Sequence, residues 1–262
     1  TQQLLKKLEK LAGNSHFMLR RGIFFAHRDL DWILNEYEKS NKFFLYTGRG
    51  PSGKIHLGHL LPLIFTKWLQ DVFDAELWIQ FTDDEKFLFN KDLNFDLVNK
   101  YMQDNMLDLI ALGFNPEKTY FLIDTQHANI LYKEACKVAK KISFSMVKSS
   151  FGMNESTNVG SIFYTSMQAV PAFLPSVLKK KEMPCLIPHG IDQDPHFRII
   201  RDILPKLGHY KPASIQCLFL PPLGGADGKM SSSDENSAIY TTDSAKDVEN
   251  KIMKYAFSGG QS

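Results

Sequence analysis

The sequence predicts an α/β fold built around a parallel sheet. Short apolar runs with strand character alternate with longer segments of helical periodicity, which is the pattern of that fold class. The earliest clear unit is a strand at residues 42–47 (KFFLYT), a helix at residues 59–73 (HLLPLIFTKWLQDVF) and a second strand at residues 76–82 (ELWIQFT). A strand, a crossover helix and a strand in that order form a parallel βαβ unit.

The regions around this unit divide the chain into an extension and one large domain. Residues 1–41 carry helical patterns, and we expect an N-terminal helical extension there. Residues 42–262 are predicted to form the α/β domain. Within it, residues from about 90 to 184 have mainly helical patterns with one strand at residues 119–123 (TYFLI), which predicts a helical insertion.

Two further apolar strands are predicted downstream, at residues 185–187 and residues 214–220. The first leads into the polar turn PHGIDQDP and a helix, and the second into the glycine- and serine-rich segment GGADGKMSSSDENS. A final helix is predicted at residues 244–256. The alternation of strands and helices therefore continues to the end of the chain.

Composition gives no sign of nucleic-acid binding, of a membrane span or of disulfides. The 31 basic and 29 acidic residues leave a net charge of +2, so there is no strongly basic balance of the kind that indicates nucleic-acid binding. No apolar stretch approaches the roughly 20 residues of a membrane span, and we expect no membrane partner. The cysteines Cys136, Cys185 and Cys217 lie far apart, which favours free thiols in the reducing cytoplasm over disulfides or a zinc site.

The loop between the first predicted strand and helix, TGRGPSGKIHLGH, has the features of an anion site. Unpaired backbone N–H groups at a helix N-terminus and the helix dipole both favour a phosphate there. His56 and His59 flank Gly58 at that point, and imidazoles can donate hydrogen bonds to phosphate oxygens. Two loop histidines can also lie at a surface by chance. The position directly after a buried strand favours phosphate chemistry, namely nucleotidyl transfer.

PSGKIHLGHL resembles the HIGH motif of class I aminoacyl-tRNA synthetases, and also that of small nucleotidyltransferases. A second segment, KMSSS at residues 229–233, separates these families. Taken alone it could be a solvated linker, but a lysine and three hydroxyls on a glycine-rich loop suit a triphosphate. The pair of motifs resembles the two-part signature of class I synthetases, and the small nucleotidyltransferases lack the second part.

Longer stretches resemble the eukaryotic-type tryptophanyl-tRNA synthetase family over nearly the whole chain. These stretches are RRGIFFAHRD, LYTGRGPSG, FTKWLQDVF, IQFTDDEKF, CLIPHGIDQDPHFR, KMSSSD and AFSGG. The resemblance implies a Rossmann-like nucleotide-binding catalytic domain, ATP as substrate with its accompanying Mg²⁺, and tryptophan and its tRNA as partners. It also implies a homodimer formed through the helical insertion, and a C-terminal anticodon-binding domain that this chain lacks.

The same resemblance implies which residues bind tryptophan. Tyr46 and Gln80 would bind the indole N–H, and Glu85, Gln168 and Gln193 would hold the α-amino group. An indole pocket needs apolar walls and one placed acceptor, and a buried ammonium needs a carboxylate, so these residue types suit the ligand. A surface amide is the ordinary alternative for each glutamine.

The reaction implied is attack of the tryptophan carboxylate on the α-phosphorus of ATP, without an enzyme nucleophile. His56 and His59 would stabilise the α-phosphate, Lys229 the leaving pyrophosphate, and Arg49 the carboxylate or a phosphate. Further ATP contacts are expected from Thr47, Gly48, Gly58, Met230, Ser231 and Ser232. We expect no protein metal site, because the run Asp83-Asp84-Glu85 presents neighbouring side chains that point in different directions. Two alternatives stay open: a tyrosyl-tRNA synthetase, and a synthetase-derived binding or signalling fragment without activity.

Overall fold

A six-stranded sheet forms the centre of the protein, in a computed structural model that describes residues 2–225, 228–231 and 234–257. The strands are β1 (Phe24–Arg28), β2 (Phe44–Arg49), β3 (Leu77–Phe81), β4 (Thr119–Ile123), β5 (Cys185–Gly190) and β6 (Ala213–Cys217). The helices are α1 (Gln2–Ala12), α2 (Phe17–Arg20), α3 (Leu30–Glu38), α4 (Leu57–Phe73), α5 (Asp83–Phe89), α6 (Phe95–Ala111), α7 (Ala128–Ala139), α8 (Phe144–Phe151), α9 (Val159–Ala169), α10 (Leu174–Lys179), α11 (Asp194–Ile203) and α12 (Ala245–Tyr255).

The strand order is β1-β6-β5-β2-β3-β4. The last five strands are parallel to their neighbours, and β1 alone runs antiparallel, against β6. This confirms the predicted α/β fold with a parallel sheet. The order reverses between β2 and β5, and open parallel sheets bind their ligands at such a switch point.

The divergence of β2 from β5 opens a crevice at the switch point. The two strands pair only at their start, where Phe44 lies opposite Cys185 and Leu45 opposite Leu186. On its other side β2 stays in register with β3 through five pairs, from Leu45 with Leu77 to Arg49 with Phe81. The carboxyl ends of β2 and β5 therefore border an open space.

Helices cover both faces of the sheet, because the parallel strands are apolar on both sides. Leu45, Leu77 and Ile79 pack on one face against α1, α3, α4 and α6. Phe44 and Trp78 pack on the opposite face, against α7, α9, α10 and α11. Strand β3 is consequently buried at every residue.

Two boundaries differ from the sequence prediction. Residues 1–41 contain α1, α2 and α3, and also β1, which joins the main sheet as an edge strand. Strand β4 pairs in parallel register with β3, so α6 and β4 complete a βαβ unit of the sheet. The helices inserted between two strands of the sheet, β4 and β5, are therefore α7 to α10. This segment is shorter than the insertion predicted from about residue 90 to 184.

Within the described ranges, no helix is both long enough and apolar enough to cross a membrane.

Candidate active site

A cavity of about 470 Å³ lies at the crevice between β2 and β5. It is lined by every predicted site residue that the structure describes, and these come from segments far apart in sequence. They are Tyr46, Thr47, Gly48, Arg49, His56, Gly58, His59, Gln80, Glu85, Gln168, Gln193, Lys229, Met230 and Ser231. The remaining predicted residue, Ser232, lies outside the described residues.

Tyr46 and Gln80 form a buried hydrogen-bonded pair at the inner end of this cavity. Tyr46 lies on β2 and Gln80 on β3, and they are 1% and 0% exposed. The Tyr46 hydroxyl oxygen lies 2.6 Å from Gln80 Oε1 and 3.1 Å from the carbonyl oxygen of Gln168. Burial raises the pKa of Tyr46 well above its usual 10, so the phenol stays neutral and can donate. The pair thus presents a fixed set of polar atoms within apolar walls.

Asp124 completes this pair, and the sequence analysis missed it. The Gln80 Nε2 group donates to Asp124 Oδ1 at 2.8 Å and lies 2.9 Å from Oδ2. Burial, and next the neighbouring Asp84 carboxyl, raise the pKa of Asp124 above its usual value. A signal was present in the sequence, because Asp124 directly follows the apolar strand TYFLI, at the sheet edge where Gln80 also lies.

The three residues predicted to hold an ammonium group lie around the same cavity. Gln168 of α9 and Gln193 of the turn before α11 meet side chain to side chain, with Nε2 and Oε1 3.4 Å apart. The Oε1 atom of Gln168 is buried and has no hydrogen-bond partner among the described residues. Glu85 accepts from Thr82 Oγ1 at 2.6 Å and from Lys86 Nζ at 2.7 Å.

The turn that carries Gln193 is fixed by a network centred on Asp194. Arg28 of β1 donates two hydrogen bonds to the Asp194 carboxylate, at 2.9 and 2.7 Å, and Gln216 of β6 donates a third at 2.5 Å. Hydrogen bonding to Arg28 lowers the pKa of Asp194 below its usual value. The edge strand β1 therefore helps to position the cavity wall, a role that the sequence analysis did not assign to Arg28.

The HLGH segment lies at the N-terminus of α4, where His56 is the N-cap residue. The rings of His56 and His59 stack with centroids 3.6 Å apart, and the His56 backbone N–H donates to His59 Nδ1 at 3.3 Å. An accepting Nδ1 leaves the proton of neutral His59 on Nε2. Burial, and then the charge of Arg49, lower the pKa of His56 to about 4 and of His59 to about 2. Both rings are therefore neutral donors at pH 7.

The packing around Gly58 leaves little room for a side chain. A Cβ atom at residue 58 would lie 3.1 Å from the His56 ring and 3.5 Å from Met230 Cβ. Met230 itself is buried, and its backbone N–H donates to the Leu220 carbonyl at 2.7 Å. The described part of the KMSSS segment, residues 229–231, therefore lies against the HLGH segment at one end of the cavity.

Arg49 and Lys229 are the cations at this end, and they are held differently. The Arg49 guanidinium donates to Asn105 Oδ1 at 2.6 Å and to the Gly53 carbonyl at 3.3 Å, and it is buried. Burial lowers the pKa of Arg49 to about 10, so it keeps its charge at pH 7. Lys229 lies 3.3 Å from Asp192 in an ion pair whose side chains are 55% and 40% exposed.

The acidic run Asp83-Asp84-Glu85 points to three separate partners. Asp83 accepts from the backbone N–H and hydroxyl of Thr125, Asp84 is hydrogen-bonded to Asp124, and Glu85 pairs with Lys86. In the described part of the chain, no three His, Cys, Asp or Glu side chains are arranged to hold a metal ion.

The fold and the cavity together are those of a nucleotide-binding α/β protein. The N-terminus of α4 and the segment that carries Lys229 both face a crevice at the switch point of the sheet. Comparison with known proteins makes this specific. Residues 38–261 match the family model described as tRNA synthetases class I (W and Y). The chain belongs to this family, as the two motifs predicted.

Individual relatives agree with this assignment. The chain is 53% identical over 261 residues to a tryptophan–tRNA ligase of Saccharolobus solfataricus, covering 100% of this chain and 67% of that protein. Against the human cytoplasmic tryptophan–tRNA ligase the identity is 46% over 269 residues, covering 99% and 57%. The solved tryptophanyl-tRNA synthetase of Encephalitozoon cuniculi bound to tryptophan superposes with a TM-score of 0.93 at 40% identity, covering 100% of this chain and 73% of that one.

Proposed function

We propose that this chain activates L-tryptophan with ATP, forming tryptophanyl-adenylate and pyrophosphate, and that the activated tryptophan is passed to its tRNA. The observation that carries this proposal is the buried Tyr46–Gln80 pair in the cavity. Its atoms offer a hydrogen-bond acceptor at a place walled by apolar side chains, which is what an indole N–H requires. The tryptophan–tRNA ligases to which the chain is 46–53% identical support the same substrate.

The part of the cavity around Tyr46 and Gln80, its amino-acid end, would also hold the ammonium group of tryptophan. Glu85 supplies a negative charge, and the unpartnered Oε1 of Gln168 supplies an acceptor among the described residues. A buried acceptor without a partner is costly, so a ligand that donates to it gains binding energy. Gln193 adjoins Gln168 and offers its own amide to the same group.

The opposite part of the cavity, around His56, His59 and Lys229, is its phosphate end and would stabilise negative charge as pyrophosphate leaves. The carboxylate oxygen of tryptophan forms a bond to the α-phosphorus of ATP, and the bond from that phosphorus to the bridging oxygen breaks. Neutral His56 and His59 would donate hydrogen bonds to the α-phosphate, and Lys229 would contact the leaving pyrophosphate. Arg49 would act at longer range through its charge, since Asn105 and Gly53 take up two of its donors. Backbone groups of the two loops would complete the ATP contacts.

Mg²⁺ would enter this site with ATP, as part of the substrate complex. The carboxylates that line the cavity already have cationic partners: Glu85 pairs with Lys86, and Asp192 pairs with Lys229. Because Mg²⁺ favours substrate phosphates and water over cages built of protein ligands alone, a triphosphate-bound ion suits this arrangement.

We further propose a homodimer in the cytoplasm. Large apolar side chains are exposed on the helical segment after β4, among them Tyr132, Phe144 and Val159, which is 80% exposed. Exposed apolar groups of this kind favour a protein–protein contact. The three cysteines are free, as suits a reducing compartment. Light scattering coupled to size-exclusion chromatography measures the mass, and a monomer at micromolar concentration would contradict the dimer.

The function is tested by amino-acid-dependent exchange of pyrophosphate into ATP, run in parallel with tryptophan and with tyrosine. We expect exchange with tryptophan alone. Exchange with tyrosine alone would replace the proposed substrate, and no exchange with either by a folded chain would favour a binding fragment without activity. Charging of tryptophan tRNA, measured separately, tests the second step.

A further inference from the structure

The orientation of the Gln80 amide decides which ligand atom this cavity can accept. A glutamine side chain has a donor end and an acceptor end, and the two ends have nearly the same shape. An indole N–H needs the acceptor end, Oε1, to face the cavity. With the amide rotated by half a turn, Nε2 would face the indole N–H, and two donors would oppose each other.

Tyr46 does not fix this orientation by itself. Its hydroxyl has two acceptors within reach, Gln80 Oε1 at 2.6 Å and the Gln168 carbonyl at 3.1 Å. If Gln80 were rotated, its Nε2 could donate to the Tyr46 oxygen while the phenol proton turned to Gln168. Both orientations of Gln80 would thus satisfy Tyr46.

Asp124 does distinguish the two orientations. Both of its carboxyl oxygens lie within 2.9 Å of Gln80 Nε2, and a carboxyl oxygen that carries no proton accepts hydrogen bonds but donates none. The rotated amide would place its carbonyl oxygen against that carboxylate. Asp124 is held firmly, because its backbone N–H donates to the Phe81 carbonyl at 3.2 Å and its residue is 1% exposed.

Asp84 supports the Asp124 carboxyl from the side away from Gln80. The two carboxyl groups are hydrogen-bonded to each other, and Asp84 also accepts from the Glu85 backbone N–H at 2.7 Å. Burial raises the pKa of both acids, so one proton can be shared between them. A proton directed from Asp124 to Asp84 would leave the other Asp124 oxygen as an acceptor for Gln80.

We propose that Asp124 is the positioning residue that gives this cavity its selectivity for an indole N–H, by holding the Gln80 amide with its carbonyl oxygen toward the ligand. The inference rests on the proposed function, because it needs tryptophan as the ligand. It assigns Asp124 no contact with substrate.

The test compares two amino acids in the pyrophosphate exchange assay. One is tryptophan, and the other is 3-(3-benzothienyl)-L-alanine, in which sulfur replaces the ring N–H. The ratio of their kcat/KM values measures how strongly the site uses the N–H. We expect this ratio to fall at least about tenfold in Asp124→Ala and Asp124→Leu, through the KM for tryptophan and not the KM for ATP.

Three controls separate orientation from folding and from charge. The alanine variant leaves a cavity and the leucine variant fills it, so a fall of the kcat/KM ratio in both variants has a cause other than packing. Thermal melts show which variants are folded. Asp124→Asn should keep the ratio within about threefold of the wild type, because its carbonyl accepts from Gln80 while its amide donates to Asp84. Asp83→Ala removes a neighbouring buried acid that bonds Thr125, and should leave the ratio unchanged.

An unchanged ratio in a folded alanine or leucine variant would overturn the proposal. So would an asparagine variant as impaired as the alanine one, because charge and not orientation would then be the determinant. A wild-type protein without tryptophan-dependent exchange would instead refute the proposed function, and the two failures are therefore distinct.

Discussion

The two ends of the cavity are built in opposite ways. At the amino-acid end, Tyr46, Gln80 and Asp124 are each at most 1% exposed and are joined by hydrogen bonds of 2.6 to 2.9 Å. At the phosphate end, Lys229 is 55% exposed in a 3.3 Å ion pair, although Arg49 is buried there.

We expect this difference to separate the residues that determine substrate selectivity from those that determine the reaction rate. A rigid, saturated network can discriminate between ligands that differ by one hydrogen-bonding atom, because the wrong ligand leaves buried groups unpaired. Groups that are neutral or weakly held before the ligand arrives can instead respond to charge that develops during the reaction. Substitutions at the two ends should therefore change different kinetic constants.

The largest effect is expected from Gln80→Met, which keeps the side-chain length but removes both amide ends. We expect the kcat/KM for tryptophan to fall by about a hundredfold to a thousandfold, since the indole N–H would lose its proposed acceptor and the Tyr46 and Asp124 groups lose their partner. Exchange assays over a range of tryptophan concentrations measure this. The KM for ATP should stay within about threefold of the wild type.

A loss confined to kcat would contradict the role expected for the amino-acid end, because it would place Gln80 in the chemical step. The matched control is Gln70→Met. Gln70 is also a buried glutamine, but its amide joins Thr119 and the Asn115 backbone away from the cavity, so its variant should keep the tryptophan KM.

The second largest effect is expected from Lys229→Ala at the other end. Loss of the cation proposed to stabilise the leaving pyrophosphate should lower kcat for exchange by about a hundredfold and leave the KM for tryptophan nearly unchanged. Single-turnover formation of the adenylate measures the chemical step directly. The exposed Lys254, at the end of α12, provides the control, and Lys254→Ala should retain full turnover.

Sequence patterns proposed most residues of the phosphate end, since HLGH and KMSSS are local motifs whose residues are neighbours in the chain, and those that the structure describes line one cavity. They also predicted Tyr46 and Gln80, which follow from a resemblance to long ordered stretches. Asp124 was missed because its role depends on the register of β3 and β4, where Gln80 lies opposite Leu122. A single sequence does not specify that register.

The edge strand β1 was missed for a similar reason. Only the first of its five residues is buried, and its partner β6 is distant in sequence, so neither a long apolar run nor a neighbouring hairpin indicates it. The position of Arg28 opposite Asp194 follows from that pairing alone. Asn105 was likewise hidden in an ordinary helical pattern, although it holds Arg49 and the Gly53 carbonyl.

A smaller effect is expected on stability, from the acid pair behind Gln80. Burial raises the pKa of Asp84 from 3.8 to about 6, so this group favours the folded state below about pH 4 and loses that contribution as pH rises through 6. Asp84→Asn is neutral at every pH. We expect it to raise the free energy of unfolding by about 1–3 kcal/mol at pH 7.5, with no gain at pH 4.

Urea denaturation of both proteins at the two pH values measures this difference. A higher stability of Asp84→Asn at pH 7.5 would show that the charge of Asp84, behind Gln80 at the amino-acid end, lowers the stability of the folded protein. Equal stability of the two proteins at pH 7.5 would contradict it. Asp96, an acid in the first turn of α6 and on an exposed site, gives the control variant Asp96→Asn, which should lack this pattern.

The smallest effect is expected from Asp192→Asn, which removes the ion-pair partner of Lys229. Both side chains are substantially exposed, and pairs of this kind contribute about 0.2–1 kcal/mol in water. Because Asp192 competes with phosphate for Lys229, its loss should lower the KM for ATP by no more than about threefold and leave kcat unchanged. Measuring the KM at low and high salt checks the cause, since screening should reduce the difference between variant and wild type. A loss of turnover as large as that of Lys229→Ala would mean that the phosphate end depends on a preformed Lys229–Asp192 contact, and the contrast between the two ends would fail.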